Sequence, residues 1–178
     1  METIKTERLR LLPLTLSQLK SGLNSIKDLS TILEVPLVES LFDGKVHRAV
    51  TMKVDKMTKA DQKLLLWYTY WLIVVDEENT GIGMVGYKGI PNEKGAVEIG
   101  YGIDPFFQRR GYMSEAVEAL IKWAFSHPEC RAITATSVLV DNFASQKVLL
   151  RNGFVEIGQD EKGINFRLER SKLLESTS

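Results

Sequence analysis

One segment of the sequence carries residue types suited to binding a phosphate group. Residues 108–111, Gln-Arg-Arg-Gly, stand between an apolar segment that ends at Ile103 and a helical pattern that starts at Met113. The unpaired N–H groups and the dipole of a helix start attract anions, and a glycine lets the backbone approach an anion closely. The pattern therefore predicts a phosphate site, although an ordinary strand-to-helix turn with solvated arginines would have the same sequence. Neither the phosphate-loop nor the dinucleotide fingerprint is present.

Three further polar residues stand where they could act on a substrate. Glu98 interrupts an apolar strand pattern, and alternation places its side chain on the face opposite Val97 and Ile99. Asn142 and Ser145 lie one helical turn apart on one face of a predicted helix. Each residue also has an ordinary structural role, since a strand glutamate can face solvent, asparagine is a favoured helix N-cap and serine a small packing residue. Both interpretations stay open for all three.

The surrounding patterns predict an α/β protein with a mixed sheet. Seven apolar, branched segments predict strands, and they cover residues 9–14, 71–75, 82–89, 96–103, 132–139, 154–158 and 165–169. Amphipathic helices are predicted after a cap at Thr15 or Ser17, from Met113, and from Asn142 to a stop at Gly153. The strand–helix–strand–helix–strand portion requires parallel neighbours. Residues 28–66 have a helical but irregular pattern, which Pro36 and Gly44 interrupt.

Composition excludes several classes of protein. The chain has 178 residues, 44% of them hydrophobic, which suits a single domain over residues 1–178. Its 23 basic and 23 acidic residues cancel, so no excess positive field would hold nucleic acid. The lone Cys130 and the separated His47 and His127 predict neither a disulfide nor a metal site. The longest apolar run is too short to span a membrane, and we expect a reducing, cytoplasmic setting.

Three motifs resemble those of one family, the GNAT N-acetyltransferases. Gln108-x-x-Gly111-x-Met113, which follows Glu98-Ile99-Gly100-Tyr101-Gly102-Ile103, resembles the family's pyrophosphate-binding signature. Residues 142–154 resemble its second signature, and residues 6–11, Thr-Glu-Arg-Leu-Arg-Leu, are similar to the start of the ribosomal-protein N-terminal acetyltransferases. The motifs follow the family's order from residue 6 to about 158. Two residues depart from the family pattern: Met113 replaces glycine or alanine, and Leu149 replaces a tyrosine.

The resemblance implies a fold, a co-substrate and a set of site residues. The fold would be a mixed sheet of about seven strands flanked by helices, with the fourth and fifth strands splayed apart. Acetyl-CoA would be the co-substrate, with no metal. Its pantetheine arm would contact Tyr101, Gly102 and Ile103, and Asn142 would be a further cofactor contact. The pyrophosphate would lie against Gln108, Arg109, Arg110, Gly111, Tyr112, Met113 and Ser114.

The resemblance also implies direct transfer of the acetyl group to a primary amine. Glu98 would act as general base through water, and Ser145 would donate a hydrogen bond to the departing sulfur. The expected acceptor is the α-amine of a protein or peptide N-terminus. The alternatives are a small amine, such as a polyamine, an amino acid or an aminoglycoside, and a non-catalytic domain that binds acyl-CoA. A homodimer is compatible with the resemblance. Residues 67–71, rich in tryptophan and tyrosine, would form core and wall the acceptor pocket with one edge.

Overall fold

Eight strands form one sheet in the computed structural model, which describes residues 2–175. The strands are β1 (Ile4–Lys5), β2 (Leu9–Pro13), β3 (Tyr70–Val75), β4 (Thr80–Tyr87), β5 (Ala96–Ile103), β6 (Ala132–Val138), β7 (Val155–Asp160) and β8 (Gly163–Glu169). They lie in the order β1-β2-β3-β4-β5-β6-β8-β7. The sheet has one strand beyond the predicted seven because the two-residue β1 pairs with β2.

The strand directions confirm a mixed sheet. β5 and β6 are parallel, while the strands from β1 to β5 form antiparallel pairs. After β6 the chain passes to the edge strand β7 and returns as β8, which lies antiparallel between β6 and β7. Among the strands of the described residues, the crossover from β5 to β6 therefore produces the one parallel pair.

Seven helices cover the sheet within the described residues. They are α1 (Leu16–Asn24), α2 (Ile26–Leu33), α3 (Gly44–Lys59), α4 (Leu65–Tyr68), α5 (Tyr112–Phe125), α6 (Phe143–Arg151) and α7 (Arg170–Glu175). Thr15 caps α1 in a capping box with Gln18. Pro36 lies between α2 and α3, and Gly44 is the first residue of α3, so both predicted interruptions fall at helix boundaries. None of these helices combines the length and apolar character that a membrane crossing requires.

Each face of the sheet buries its own apolar core. Alternation along β3 sends Trp71 and Ile73 to the face that α5 covers, and Leu72 and Val74 to the face that α1, α2 and α3 cover. The predicted helix after the Thr15 cap is confirmed, and together with residues 28–59, whose details the sequence left open, it forms a helical layer on this face. Tyr101 packs on the α5 face, so β5 directs Glu98, Gly100 and Gly102 to the α1–α3 face.

β5 and β6 separate after three residue pairs, and the last of them joins Glu98 to Thr134. An irregularity in β6 between Ala135 and Val138 contains Ser137, whose φ is +56°. Such a bulge bends a strand, and here the main-chain N–H of Ser137 donates to Asn165 of β8 at 3.0 Å. β5 and β6 correspond to the predicted fourth and fifth strands, because β1 was not predicted. The predicted splay between them is therefore confirmed, and the gap opens directly beyond Glu98.

Candidate active site

The loop before α5 presents a row of free main-chain donors. Arg109 and Gly111 have φ values of +63° and +84°, and the first hydrogen bond of the helix runs from Glu115 N–H to the Gly111 carbonyl at 3.1 Å. Within residues 2–175, the N–H groups of residues 109–114 have no hydrogen-bond acceptor. Free N–H groups at the positive end of a helix dipole favour an anion. The loop therefore has the geometry of a phosphate cradle.

The two departures from the family pattern are both core residues. The Met113 side chain is only 6% exposed and packs in the core beneath α5, while its N–H is one of the free donors. A methionine at this position therefore leaves the cradle open. Leu149 is fully buried in the same core, so this position supplies packing and no hydroxyl.

The polar side chains of the loop have different surroundings. The Arg110 guanidinium lies over the Phe106 ring at 4.9 Å and 3.7 Å from the Glu78 carboxylate. The exposed Arg109 forms no ion pair within the described residues. Gln108 is also exposed, and its N–H donates to Pro105 at 3.3 Å. Arg109 is therefore the arginine that is free to turn toward an anion.

Beyond Glu98, the edge of β5 that faces the gap carries free main-chain groups, because β6 no longer pairs with it. Glu98 C=O accepts from Lys88 at 2.8 Å and Asp104 N–H donates to Ile82 at 2.9 Å, so the even-numbered residues of β5 bond to β4. By alternation, the N–H and C=O of Tyr101 and Ile103 point into the gap. Gly102 pairs with Met84 of β4. Its main-chain groups therefore face β4 and not the gap, and its missing side chain leaves room on the α1–α3 face.

A hydroxyl pair lies between β5 and α6. Asn142 caps α6, because its Oδ1 accepts from the N–H of Ser145 at 3.1 Å. The Tyr101 hydroxyl is 2.9 Å from Ser145 Oγ and donates to the Ser145 carbonyl at 3.2 Å. Burial raises the pKa of Tyr101 to about 12, against a smaller opposing effect of the bond with Ser145. Sequence reasoning assigned only the main chain of Tyr101, although alternation already placed its ring on the face opposite Glu98.

Glu98 stands at the vertex of the gap. It is the last residue of β5 that pairs with β6, and its side chain is 25% exposed on the face that also carries Gly100. Thr136 Oγ1 donates to Glu98 Oε1 at 2.6 Å, and Lys88 forms an ion pair with the same oxygen. The carboxylate is therefore held in a defined position, where a water molecule can reach it.

A cavity of about 380 Å³ opens on the α1–α3 face beside this strand. Gly100 and Gly102 line it, and no atom lies within 4 Å of the positions where their Cβ atoms would stand. Its other walls are Ser40, Leu41, Lys45, Val46, Ala49, Tyr70, Ile82, Gly83, Met84, Tyr101, Ile103, Asp104 and Pro105. Sequence reasoning missed Ser40, Lys45 and Ala49 because they lie in the irregular segment.

The aromatic segment 67–71 contributes to both the core and the cavity. Trp67 and Trp71 are buried in the core beneath α5, where both rings pack against Trp123 in tilted orientations. Tyr70 faces the other way and lines the cavity. The cluster is therefore core apart from Tyr70, and a role in the acceptor pocket stays a prediction.

The environment of Cys130 does not favour nucleophilic chemistry. Cys130 is fully buried, and burial raises the pKa of its thiol to about 11. A buried thiol that keeps its proton is a poor nucleophile. The part of the chain that the structure describes contains no cluster of three or more histidine, cysteine, aspartate or glutamate residues arranged to hold a metal ion.

A split sheet beside a helix start with free donors defines an α/β protein that can hold an elongated phosphorylated ligand. Residues 8–155 match the family model described as an acetyltransferase (GNAT) domain. The chain therefore belongs to the GNAT acetyltransferase family.

Individual proteins agree with this assignment. The chain is 39% identical over 85 residues to the uncharacterized N-acetyltransferase YjdG of Bacillus subtilis, covering 48% of this chain and 50% of YjdG. It is 33% identical over 84 residues to the ribosomal-protein-serine acetyltransferase of Escherichia coli, covering 47% and 46% of the two chains. It thus spans about half the length of the curated relatives it matches.

A solved structure shares the fold at low sequence identity. The RimL ribosomal L7/L12 alpha-N-protein acetyltransferase, in complex with coenzyme A, superposes with a TM-score of 0.66 at 20% identity. The superposition covers 94% of this chain and 98% of RimL. This likeness supports the fold that the motifs implied.

Proposed function

We propose that this chain transfers the acetyl group of acetyl-CoA to a primary amine, and that the amine is the α-amine of a protein or peptide N-terminus. The observation that carries this proposal is the position of the gap. It opens directly beyond Glu98, with the phosphate cradle at one end of β5 and an open cavity on the α1–α3 face of the same strand. Acetyl-CoA and the acceptor amine can therefore meet beside Glu98, where the gap begins.

The donor is held mainly by main-chain groups. The N–H groups of residues 109–114 hold the pyrophosphate, and the free groups of Tyr101 and Ile103 pair with the pantetheine arm. Gln108, Arg109 and Asn142 border this path. Acetyl-CoA, when bound, supplies the acetyl group as a thioester.

The transfer needs one proton acceptor and one donor of a hydrogen bond. A C–N bond forms at the acceptor nitrogen as the C–S bond breaks, and the nitrogen loses a proton. Glu98 takes that proton through a water molecule. Ser145 Oγ accepts from the Tyr101 hydroxyl, which orients it and leaves its own proton for a hydrogen bond to the leaving sulfur. A thiol is a good leaving group, with a pKa of about 8.5, so this assistance suffices without a tyrosine at position 149.

The cavity suits a single α-amine better than a polycation. Asp104 is its one carboxylate, and both oxygens already accept hydrogen bonds, from Ser40 Oγ at 2.5 Å and from Phe106 N–H at 2.9 Å. Lys45 adds a positive charge to the wall. Polyamines and aminoglycosides carry several ammonium groups and would need several free carboxylates.

The chemistry of the amine and the names of the relatives favour the same acceptor. An α-amine has a pKa of about 8 and lysine about 10.4, so a water-mediated base suffices for the former. The matched E. coli relative is a ribosomal-protein-serine acetyltransferase, and RimL is an alpha-N-protein acetyltransferase.

Thiol release from acetyl-CoA tests the proposal against a panel of amines. The panel holds peptides with a free N-terminus, the same peptides with a blocked N-terminus, a polyamine and an aminoglycoside. We expect release with the free peptides and none with their blocked counterparts, with fragment masses locating the acetyl group on the terminal nitrogen. Release with the polyamine or aminoglycoside alone would favour a small-molecule enzyme. Cofactor binding without release for any amine would favour a non-catalytic acyl-CoA-binding domain.

A further inference from the structure

The N-terminal segment is bound to the first turn of α5 by a cluster of hydrogen bonds around Glu115. Glu115 Oε1 accepts from Thr6 Oγ1 at 2.6 Å and from the Arg8 main-chain N–H at 2.9 Å. Glu115 Oε2 accepts from the Arg8 guanidinium, at 2.8 Å from Nε and 2.7 Å from NH2. Hydrogen bonds between an arginine and a carboxylate are assisted by charge, which makes them shorter and stronger than neutral ones. We call Thr6, Arg8 and Glu115 the N-terminal clamp.

The clamp reaches beyond Glu115 to the phosphate cradle. Arg8 NH1 donates to the main-chain carbonyl of Arg110 at 3.0 Å, and the guanidinium lies over the Tyr112 ring at 4.7 Å. A Cβ atom on Gly111 would stand 3.2 Å from Arg8 NH2. Arg8 therefore packs against three consecutive residues of the loop from one side.

The bond to Arg110 fixes the direction of a cradle donor. In a planar trans peptide the C=O of Arg110 and the N–H of Gly111 point in opposite directions. Holding the carbonyl toward Arg8 therefore turns the Gly111 N–H away from Arg8. The loop needs such support, because Arg109 is a non-glycine residue in the left-handed region, a strained conformation that persists only where the surroundings hold it.

The clamp also explains why a carboxylate is tolerated beside a phosphate site. Partial burial alone would raise the pKa of Glu115, but the hydrogen bonds from Thr6 and Arg8 and the charge of Arg8 outweigh it and leave the pKa below its ordinary value. The Glu115 side chain is 17% exposed, so the ion pair is only partly screened. Arg8 neutralises a negative charge that would otherwise repel the pyrophosphate.

We propose that Arg8 is a positioning residue for cofactor binding, which acts through Glu115 and the Arg110 carbonyl to hold the cradle donors toward the pyrophosphate. The proposal concerns the cofactor alone and does not depend on the acceptor amine. It assigns a role to the Thr-Glu-Arg segment at residues 6–8, which lies far from the cradle in sequence.

Calorimetric titration of coenzyme A into the full chain tests the proposal with Arg8→Ala, Glu115→Ala and the double variant. We expect Arg8→Ala to weaken binding by about 10- to 100-fold, because it removes charge-assisted bonds and exposes the Glu115 charge. Glu115→Ala should weaken binding less, and the double variant should lose no more than Arg8→Ala, as coupled residues do. Tighter binding by Glu115→Ala would overturn the proposal, since it would mean that a released Arg8 contacts the pyrophosphate directly.

Two further variants separate positioning from general stability. Arg10 lies in the same segment and pairs with Asp76 at 2.5 Å, and none of its side-chain hydrogen bonds within the described residues reaches residues 108–115, so Arg10→Ala is the matched control. It should lower the melting temperature about as much as Arg8→Ala and leave the affinity unchanged. Arg8→Lys keeps the positive charge but lacks the planar guanidinium with its several donors. It should therefore bind coenzyme A more tightly than Arg8→Ala and less tightly than the unsubstituted protein. Equal affinity losses for Arg8→Ala and Arg10→Ala would overturn the proposal.

S-Acetyl-pantetheine, which lacks the pyrophosphate, gives an independent readout once an acceptor is in hand. Arg8→Ala should lower kcat/KM for acetyl-CoA and leave the low value for S-acetyl-pantetheine unchanged. A parallel fall with both donors would show that Arg8 supports the whole site, which contradicts a role confined to the cradle.

Discussion

The two sides of β5 are built by different means. On the side of the gap and the cradle, the groups that face a ligand are mainly main-chain donors and acceptors, which the clamp, Gly111 and the start of α5 hold in place. On the cavity side, the walls are side chains from α3, from the turn that includes Ser40 and from Tyr70. Main-chain geometry tolerates many sequences, whereas a side-chain wall changes with each substitution. We therefore expect cofactor binding to depend on loop conformation and acceptor choice to depend on individual cavity residues.

We expect the largest effect on turnover from a substitution of Glu98, where the gap side and the cavity side of β5 meet. Glu98→Gln keeps size and polarity but cannot accept a proton, so we expect kcat to fall by about 10²- to 10⁴-fold with unchanged cofactor affinity. The loss should shrink as pH rises through about 8, because an α-amine then arrives neutral. Steady-state kinetics across about pH 6–9 checks this. Lys88→Gln removes the ion-pair partner alone and is the matched control. Unchanged turnover of Glu98→Gln would leave Glu98 a structural strand residue.

A second prediction probes the main-chain side. Gly111→Asp should weaken coenzyme A binding by about 100-fold, because the new side chain is strained at positive φ and its carboxylate competes with Glu115 for Arg8. Arg109→Ala should cost far less, since a single exposed charge is screened by solvent. Calorimetry measures both affinities. Gly44→Asp, at an open position with φ +46°, is the control for the substitution itself. Similar losses for Gly111→Asp and Arg109→Ala would mean that side chains carry the binding.

The same difference between main-chain and side-chain sites explains which features could be predicted from the sequence. The cradle was predictable because Gly111 and the helix pattern after it specify main-chain geometry, and the periodicity of α5 already placed Met113 on the buried face. The splay followed from the family resemblance. Its physical origin, the bulge around Ser137, has no clear local signal. Ser40 and Ala49 could not be placed, since an irregular helical segment does not reveal which residues meet across a cavity. The clamp was also missed, because pairing Arg8 with Glu115 requires the tertiary fold.

A third prediction concerns the side-chain region, where a buried cation ties α3 to the sheet. Lys53 is 6% exposed and donates to the carbonyls of Tyr68 at 3.0 Å, Thr69 at 3.2 Å and Tyr87. Burial, and to a smaller extent the charges of Lys56 and Lys88, lower its pKa from 10.5 to about 7. The native state therefore holds fewer protons than the unfolded state between these two pKa values. The free energy of unfolding should rise with pH in that window, by up to about 1.4 kcal/mol per pH unit.

Denaturant unfolding at several pH values measures this slope. Lys53→Met should abolish the rise, whereas Lys56→Met, at an exposed lysine of the same helix, should retain it. A slope that persists in Lys53→Met would assign the pH dependence to another group. If the free energy of unfolding of the unsubstituted protein does not change with pH in this window, the three carbonyls keep Lys53 protonated.

The most direct test of the account asks whether the two sides of β5 can be separated in one variant. Ala49 lines the cavity, and Ala49→Trp would fill much of its roughly 380 Å³ without touching the cradle. Calorimetry and transfer kinetics on this variant give the affinity for coenzyme A and kcat/KM for an N-terminal peptide. The account predicts an unchanged affinity and a fall in kcat/KM of about 10-fold or more, because the acceptor enters through the cavity. Unimpaired transfer, or a loss of cofactor affinity as large as the loss of transfer, would contradict it.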